Sequence, residues 1–305
     1  MDRTLLVFGG AGQLGRAIGG LMPPPGWRVV LAGRENADIT RIDEVKPLIA
    51  RVAPAVVVNA AAFTAVDDAE KATDTADRVN QLGAAVVAGA AAQIGAPIIH
   101  LSTDYVFDGT GCAPLRESDP VGPLSVYGAT KEAGERMIRR INPRHVILRT
   151  SWLFSGSGRN FVRTMLKLGA ERPSLRIVAD QYGCPTAATD LARAIWTIAD
   201  RLVTPERAAF GTFHFAGAGV TTWFDFAGRI FDELALRGHV TPRLEPITTR
   251  DYPTPARRPA YSVLDCSKIQ TVYGIAPPAW RDGLVACIRD LLEPIEQQVH
   301  KGVAA

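Results

Sequence analysis

The stretch TLLVFGGAGQLG, residues 4–15, decides the fold. Thr4–Phe8 is a short apolar run that stops at glycines, and Gln13–Met22 continues with helical character until Pro23-Pro24-Pro25 ends it. Gly9, Gly12 and Gly15 fall at a G-x-x-G-x-x-G spacing between the two. Such a turn is tight, lets the backbone approach a pyrophosphate, and leaves free N–H groups at a helix start for anionic oxygens. Dinucleotide binding at Gly9 and Gly12 is the expectation. A tight turn with no ligand is the alternative, since glycine-rich turns are common.

Working outward, strand and helix alternate. Trp27–Ala32 is the next strand. Ala55–Asn59 (AVVVN) is apolar without alternation, as in a strand covered on both faces. Asp74–Ile94 is Ala-rich and helical, and Pro97–Leu101 is a strand. Tyr127–Ile141 reads as a helix and His145–Arg149 as a further strand. This rhythm predicts an α/β fold with a doubly wound parallel (Rossmann) sheet.

After about Trp152 the rhythm loosens. Phe161–Leu168, Thr189–Leu202 and Trp223–Leu236 look helical, Leu175–Ala179 and Thr212–Phe215 look like short strands, and Thr241–Ser262 is a Pro-rich loop. The expected division is a dinucleotide-binding domain over 1–152, with parts of the later chain. A smaller, interleaved substrate-binding part covers mainly 153–296, and 297–305 form a tail.

Composition narrows the function. The chain has 305 residues, a net charge of +3 and 47% hydrophobic residues, enough for a sizeable core. Lys and Arg are scattered without a basic stripe, so no nucleic-acid partner is expected. Cys112, Cys184, Cys266 and Cys287 form no C-x-x-C and pair with no His at metal-ligand spacing, which suits free thiols in a reducing compartment. No apolar run is long enough for a membrane span or a signal peptide, so a soluble cytoplasmic protein is expected.

The chemistry concentrates in two places. Tyr127-Gly128-Ala129-Thr130-Lys131 opens a predicted helix, and its i,i+4 spacing puts phenol and ammonium on one face. A nearby cation favours the phenolate and tunes a proton donor. A lone Y-x-x-x-K occurs by chance in many helices, but Ser102-Thr103-Asp104 ends the fourth strand, at the carboxyl edge where ligands bind in such sheets. Thr103 can hydrogen-bond a carbonyl oxygen, Tyr127 can deliver a proton to it, and a nicotinamide would deliver hydride to its carbon. At the end of the second strand stands Arg34. It can pair with the 2′-phosphate of NADP, although neighbouring Glu35 leaves NAD open and an ordinary solvated Arg is the plain alternative. NADPH is the favoured cofactor, with NADH possible.

These residues resemble the extended short-chain dehydrogenases, and among them the family of dTDP-4-dehydrorhamnose reductases. The resemblance runs through nearly the whole chain. It includes GGAGQLG (9–15), ADIT (37–40), VNAAAFTAVDDAE (58–70), HLSTDYVFDG (100–109), YGATKEAGE (127–135) and RTSWLF (149–154). It continues through Asn160-Phe161, DQYGCPT (180–186) and YPTPARRPAYSVLD (252–265). The resemblance implies that Gly12, Gln13 and Leu14 contact the pyrophosphate and that Asp38 and Ile39 lie along the adenine. It places Ala62, Phe63 and Thr64 at the middle of the cofactor. Tyr127 would be the proton donor, and Lys131 would hold the nicotinamide ribose. Thr103, Asp104 and Trp152 would face a dTDP-linked 4-keto-6-deoxysugar, a core tryptophan being the plain alternative for Trp152. The implied reaction is NAD(P)H-dependent reduction of the 4-keto group of dTDP-4-dehydro-6-deoxy-L-mannose to dTDP-L-rhamnose.

One departure stands out. Some family members dimerise around a magnesium held by glutamates near the first helix and just after the P-T of DQYG-x-PT. Here those stretches read Arg16-Ala17-Ile18 and Ala187-Ala188-Thr189. Magnesium prefers carboxylate oxygens, so no metal is expected, and either monomer or homodimer fits. Two other readings remain: a different nucleotide-sugar reductase or epimerase on the same fold, and a non-catalytic regulatory subunit resembling that of methionine adenosyltransferase. Intact Thr103, Tyr127 and Lys131 speak for an enzyme.

Overall fold

The structure, a computed structural model, describes residues 2–302. The chain runs β1 (Arg3–Phe8), α1 (Gln13–Gly20), β2 (Trp27–Ala32), α2 (Ile42–Val52) and β3 (Val56–Asn59). Two short helices, α3 (Val66–Ala69) and α4 (Thr73–Asp77), lead through a π-helical turn at Arg78–Gly83 into α5 (Ala84–Gln93). Next come β4 (Ile98–Thr103), α6 (Val126–Ile141) and β5 (His145–Thr150). The later chain forms β6 (Leu153–Phe154), α7 (Phe161–Glu171), β7 (Ser174–Val178), β8 (Tyr182–Gly183), β9 (Thr186–Ala187) and α8 (Ala188–Leu202). It ends with β10 (Gly211–His214), β11 (Thr221–Thr222), α9 (Trp223–Ala235), β12 (Arg243–Ile247), α10 (Ser267–Tyr273) and α11 (Trp280–Gly302). The tail expected over 297–305 overlaps α11 up to Gly302, and residues 303–305 lie outside the described residues.

Six strands form one parallel sheet in the order β2-β1-β3-β4-β5-β10. Its apolar runs serve both faces by simple alternation. Leu5, Val7, Ile99, Leu101, Val146 and Leu148 pack toward α1, α8 and α10. Leu6, Phe8, Val57, Ile98 and Ile147 pack toward α2, α5 and α6. The strand order reverses at β1, whose neighbours β2 and β3 lie on opposite sides, and the crevice beyond such a switch point is where ligands bind in open α/β sheets.

A second core lies apart from the sheet. Phe154, Val162, Met165, Phe226, Ile230, Trp280 and Ile288 gather α7, α9 and α11 around the small pairings β6–β9 and β7–β12. The later chain is thus shared. β10 and α8 belong to the sheet layer, while α7 and α9 build the second core.

Three elements depart from the sequence reading. Residues 42–52, a stretch the sequence reading left unassigned, form a helix despite Pro47 in its interior. The Pro-rich segment 241–262 contains β12, which pairs with β7 in a two-stranded sheet, where Pro246 is tolerated at an edge. The expected helix over 74–94 is real but widens into a π turn. The turn sets the Asn80 amide against the Phe63 N–H (2.8 Å), the Phe63 carbonyl (3.2 Å) and Thr130 Oγ1 (3.0 Å).

Candidate active site

One cleft of about 990 Å³ opens over the switch point. It is lined by all the candidate cofactor, catalytic and substrate residues expected from the sequence. The glycine loop after β1 contributes Gly9, Gly12, Gln13 and Leu14, the rim beyond β2 contributes Arg34, Asp38 and Ile39, and the segment after β3 contributes Ala62, Phe63 and Thr64. At the far end stand Thr103, Asp104, Tyr127, Lys131 and Trp152.

The loop end fits an anionic dinucleotide. Gly9 has φ +81°, and a Cβ there would come within 2.6 Å of the Ala61 nitrogen, so only glycine permits this turn. Helix α1 starts at Gly12 without a side-chain cap and without an acidic residue in its first turn. Its leading N–H groups and positive dipole end therefore face the cleft unopposed. At the rim, Arg34 Nε lies 3.1 Å from Asp38 Oδ2. Asp38 Oδ1 accepts from the Thr40 N–H (2.9 Å) and hydroxyl (2.8 Å). The Thr40 N–H first, and then the Thr40 hydroxyl and Arg34, hold this carboxyl below the usual range against the cost of its burial.

Helix α6 carries Tyr127 and Lys131, and a spacing match docks it on β4. Alternation along β4 turns His100 and Ser102 toward α6, while Ile99 and Leu101 face the opposite layer. Two residues of strand advance about 6.6 Å, and four of helix about 6 Å, so Lys131 meets His100 and Glu135 meets Ser102. Glu135 accepts from Ser102 Oγ (2.5 Å), Arg149 Nε (2.9 Å), Arg149 Nη2 (2.7 Å) and Arg139 Nη2 (2.6 Å). Burial pushes its carboxyl up, and the Arg149 hydrogen bonds and charge more than reverse this, keeping it ionised. The N-terminus of α6 is capped by Ser125, whose hydroxyl accepts from the Gly128 N–H (3.2 Å).

Lys131 is 2% exposed. Its Nζ donates to the Leu101 carbonyl at 2.5 Å and faces His100 Nε2 at 3.4 Å. Burial lowers the ammonium to about 8, with Glu135 opposing. Tyr127 lies one turn back, with Tyr105 edge-on to its ring at 5.7 Å. Burial pushes the phenol up to about 12, the Thr103 hydroxyl pulls it down and Asp104 pushes it up. The lowering by Lys131 expected from the sequence is not expressed, because that amine is turned to Leu101 and His100. The phenol is held protonated, as a proton donor must be. Thr103 Oγ1 donates to Asp104 Oδ1 (3.0 Å), whereas Asp104 Oδ2 is buried without a protein partner. Burial pushes this carboxyl up to about 6, opposed by the nearby Ser262 and Thr103 hydroxyls.

Trp152 forms the outer wall. It sits at φ +47°, a left-handed conformation that L residues rarely adopt. Gly183 of β8 makes room for it, since a Cβ there would meet the indole at 2.5 Å. The partner beneath is Trp223 at the start of α9, which also lines the cleft and escaped the sequence reading. Its place in a helix some seventy residues on gave no local signal. Asp67 and Arg258 escaped it too. They pair at 2.7 Å and tie the 252–265 segment back to α3. Both lie within stretches already recognised, but only their meeting across the fold marks them. Among the described residues no group of three or more His, Cys, Asp or Glu is gathered to hold a metal ion, and no helix is long and apolar enough to cross a membrane.

Sheet order, glycine loop and the α6–β4 arrangement together are those of the extended short-chain dehydrogenase class. The chain belongs to the family described as RmlD substrate binding domain, which matches residues 3–293. It is 44% identical over 283 residues to the dTDP-4-dehydrorhamnose reductase of Aggregatibacter actinomycetemcomitans, covering 92% of this chain and 96% of that one. The crystal structure of a dTDP-4-dehydrorhamnose reductase from Clostridium acetobutylicum superposes with a TM-score of 0.88 at 39% identity, over 95% of this chain and 99% of that one. The Bacillus anthracis dTDP-4-dehydrorhamnose reductase, solved in complex with NADP, also gives 0.88, at 33% identity, over 95% and 100% of the two chains.

Proposed function

We propose that this protein reduces the 4-keto group of dTDP-4-dehydro-6-deoxy-L-mannose to give dTDP-L-rhamnose, with NADPH preferred and NADH accepted. The observation that carries this reading is the convergence of Thr103, Tyr127 and Lys131 in the same cleft as the glycine loop. A reduced nicotinamide bound in that cleft supplies the hydride. Gly9, Gly12, Gln13 and Leu14 hold the pyrophosphate at the α1 N-terminus. Asp38 and Ile39 flank the adenosine end, Ala62, Phe63 and Thr64 line the middle, and Lys131 holds the nicotinamide ribose.

Thr103 donates a hydrogen bond to the substrate carbonyl oxygen. Tyr127 gives that oxygen its phenolic proton as the alcohol forms. Asp104 and Trp152 bound the sugar nucleotide. Arg34 offers charge to a 2′-phosphate, but Asp38 already neutralises much of it, which supports a preference for NADPH over NADH and not exclusion of the latter. Domain roles follow the same division: residues 1–152, with β10 and α8, hold the cofactor, and the second core carries the substrate wall.

The test is incubation with NADPH and the dTDP-4-keto sugar, following the nicotinamide absorbance and identifying the product's configuration. Oxidation of NADPH with formation of the rhamnose epimer supports the reading. The opposite epimer at carbon 4, or no turnover, defeats it.

A further inference from the structure

We propose that His100, locked by Asn59 in one tautomer, sets the charge of the Lys131 amine and through it the alkaline limit of the reaction. This rests on the reductase reading above. His100 is 1% exposed and does not line the cleft, so it acts as a positioning residue through Lys131.

The lock comes from strand register. Asn59 on β3 and His100 on β4 are register partners in the parallel pairing, so their side chains share a face. Asn59 Oδ1 accepts the Ala61 N–H at 3.2 Å, which leaves the amide nitrogen to face His100 Nδ1 at 3.3 Å. That amide can only donate, so Nδ1 accepts. Burial, with Lys131 beside it, holds His100 well below the ordinary imidazole range, so the ring is neutral and its one hydrogen is on Nε2. Nε2 faces Lys131 Nζ at 3.4 Å.

An ammonium has only donors. A protonated Lys131 therefore meets N–H against N–H, while an uncharged amine offers its lone pair to Nε2–H. The Leu101 carbonyl accepts from Nζ in either state. Glu135 on α6 favours the ammonium, but it is shared with Ser102, Arg149 of β5 and Arg139. β3 presents neutral Asn59, α6 presents Tyr127 one turn back, and Asp104 follows the end of β4. The histidine thus adds to desolvation in lowering the lysine. As pH rises and the ammonium is lost, its charge-assisted hold on the nicotinamide ribose weakens, the hydride donor is less well placed and reduction slows.

The experiment uses the full chain with ¹⁵N-labelled histidine and ¹³C-labelled lysine, observed by NMR across pH, together with the pH dependence of single-turnover hydride transfer. The parent should show His100 Nε2 as the protonated nitrogen and Nδ1 as the bare one. His100→Leu removes the opposing N–H. Asn59→Asp accepts from Nδ1–H, turns the tautomer over and keeps the ring, which covers the case in which the leucine variant fails to fold. In each variant that folds, the Lys131 midpoint and the alkaline limb should rise together by at least about half a pH unit. A parent His100 protonated on Nδ1, or a Lys131 midpoint unmoved in the folded variants, overturns the proposal. The NMR readings need no sugar. Absence of ketone reduction with the tautomer and midpoints as stated would defeat the functional reading alone.

Discussion

The indole of Trp152 lies face to face on that of Trp223, with ring centroids 3.5 Å apart and planes 8° from parallel. Trp223 in turn leans on Phe161, centroids 4.7 Å apart. An aromatic shelf therefore borders the cleft opposite Tyr127, with one layer from the end of β5 and the others from α9 and α7. On the proposed reading the shelf meets the sugar nucleotide and not the cofactor, so Trp152→Ala should raise KM for the nucleotide sugar while NADPH affinity stays near the parent value. Trp223→Ala should act in the same direction, and the double variant should cost less than the sum, since each ring supports the other. Collapse of cofactor binding in Trp152→Ala would show the ring to be ordinary core.

On the proposed reading, the Arg34–Asp38 pair sets cofactor choice. Arg34→Ala should weaken NADPH by about tenfold and NADH little, a charge-assisted contact being lost. Asp38→Asn should move selectivity toward NADPH by freeing the guanidinium from its carboxylate. Dissociation constants for both cofactors, measured by calorimetry on both variants, decide it. Equal losses for NADPH and NADH in Arg34→Ala would remove Arg34 from the site.

Tyr127→Phe keeps the ring and its edge contact with Tyr105 and removes only the hydroxyl. Folding and NADPH binding should survive, and the chemical step should slow by about 10²–10⁴-fold, the usual contribution of a positioned acid. Lys131→Met should damage both rate and cofactor affinity. Thr103→Val should cost less in rate, one hydrogen bond to the carbonyl oxygen being lost. Single-turnover hydride transfer with both ligands saturating is the measurement, and a Tyr127→Phe protein at the parent rate would overturn the assignment.

Asp104 gives a pH signature in stability. Its carboxyl is pushed from 3.8 to about 6 in the fold, with burial as the largest cause. Between these values the native state holds a proton that the unfolded chain has released. Stability therefore falls as pH rises through that window, and the penalty persists above it. Asp104→Asn removes the penalty. The variant should be more stable than the parent at pH 7 by on the order of 3 kcal/mol, and the gap should close below about pH 4. Urea midpoints at both pH values test this, and a gap that does not change with pH would contradict it. If Asp104 faces the sugar, the same variant should raise KM.

Much of this was legible locally. The glycine loop, the Y-x-x-x-K spacing and the strand ending in Ser102-Thr103 depend on neighbours within a few residues. Their residues reach one cleft because a parallel sheet delivers all its strand ends to one edge. The 42–52 helix went unread: a proline in a helix interior is unfavourable, and packing of Val45, Leu48 and Ile49 on the sheet offsets it. β12 was not legible either, because its partner β7 lies some seventy residues away and a five-residue strand carrying a proline has no distinctive period.

The sequence by itself determined the class of sheet, the position of the glycine loop and the pairing of Tyr127 with Lys131 on one helix, since these rest on short-range periodicity and turn chemistry. Only the tertiary structure decided what those groups feel. Register between β3 and β4 set Asn59 against His100, and docking of α6 on β4 set His100 against Lys131 and Arg149 against Glu135. Folding of α9 under the end of β5 set Trp223 beneath Trp152. Each of these pairs joins residues on different elements. Charge state and ring stacking depend on distances that no local pattern contains, because they are fixed by which faces the chain must bury together.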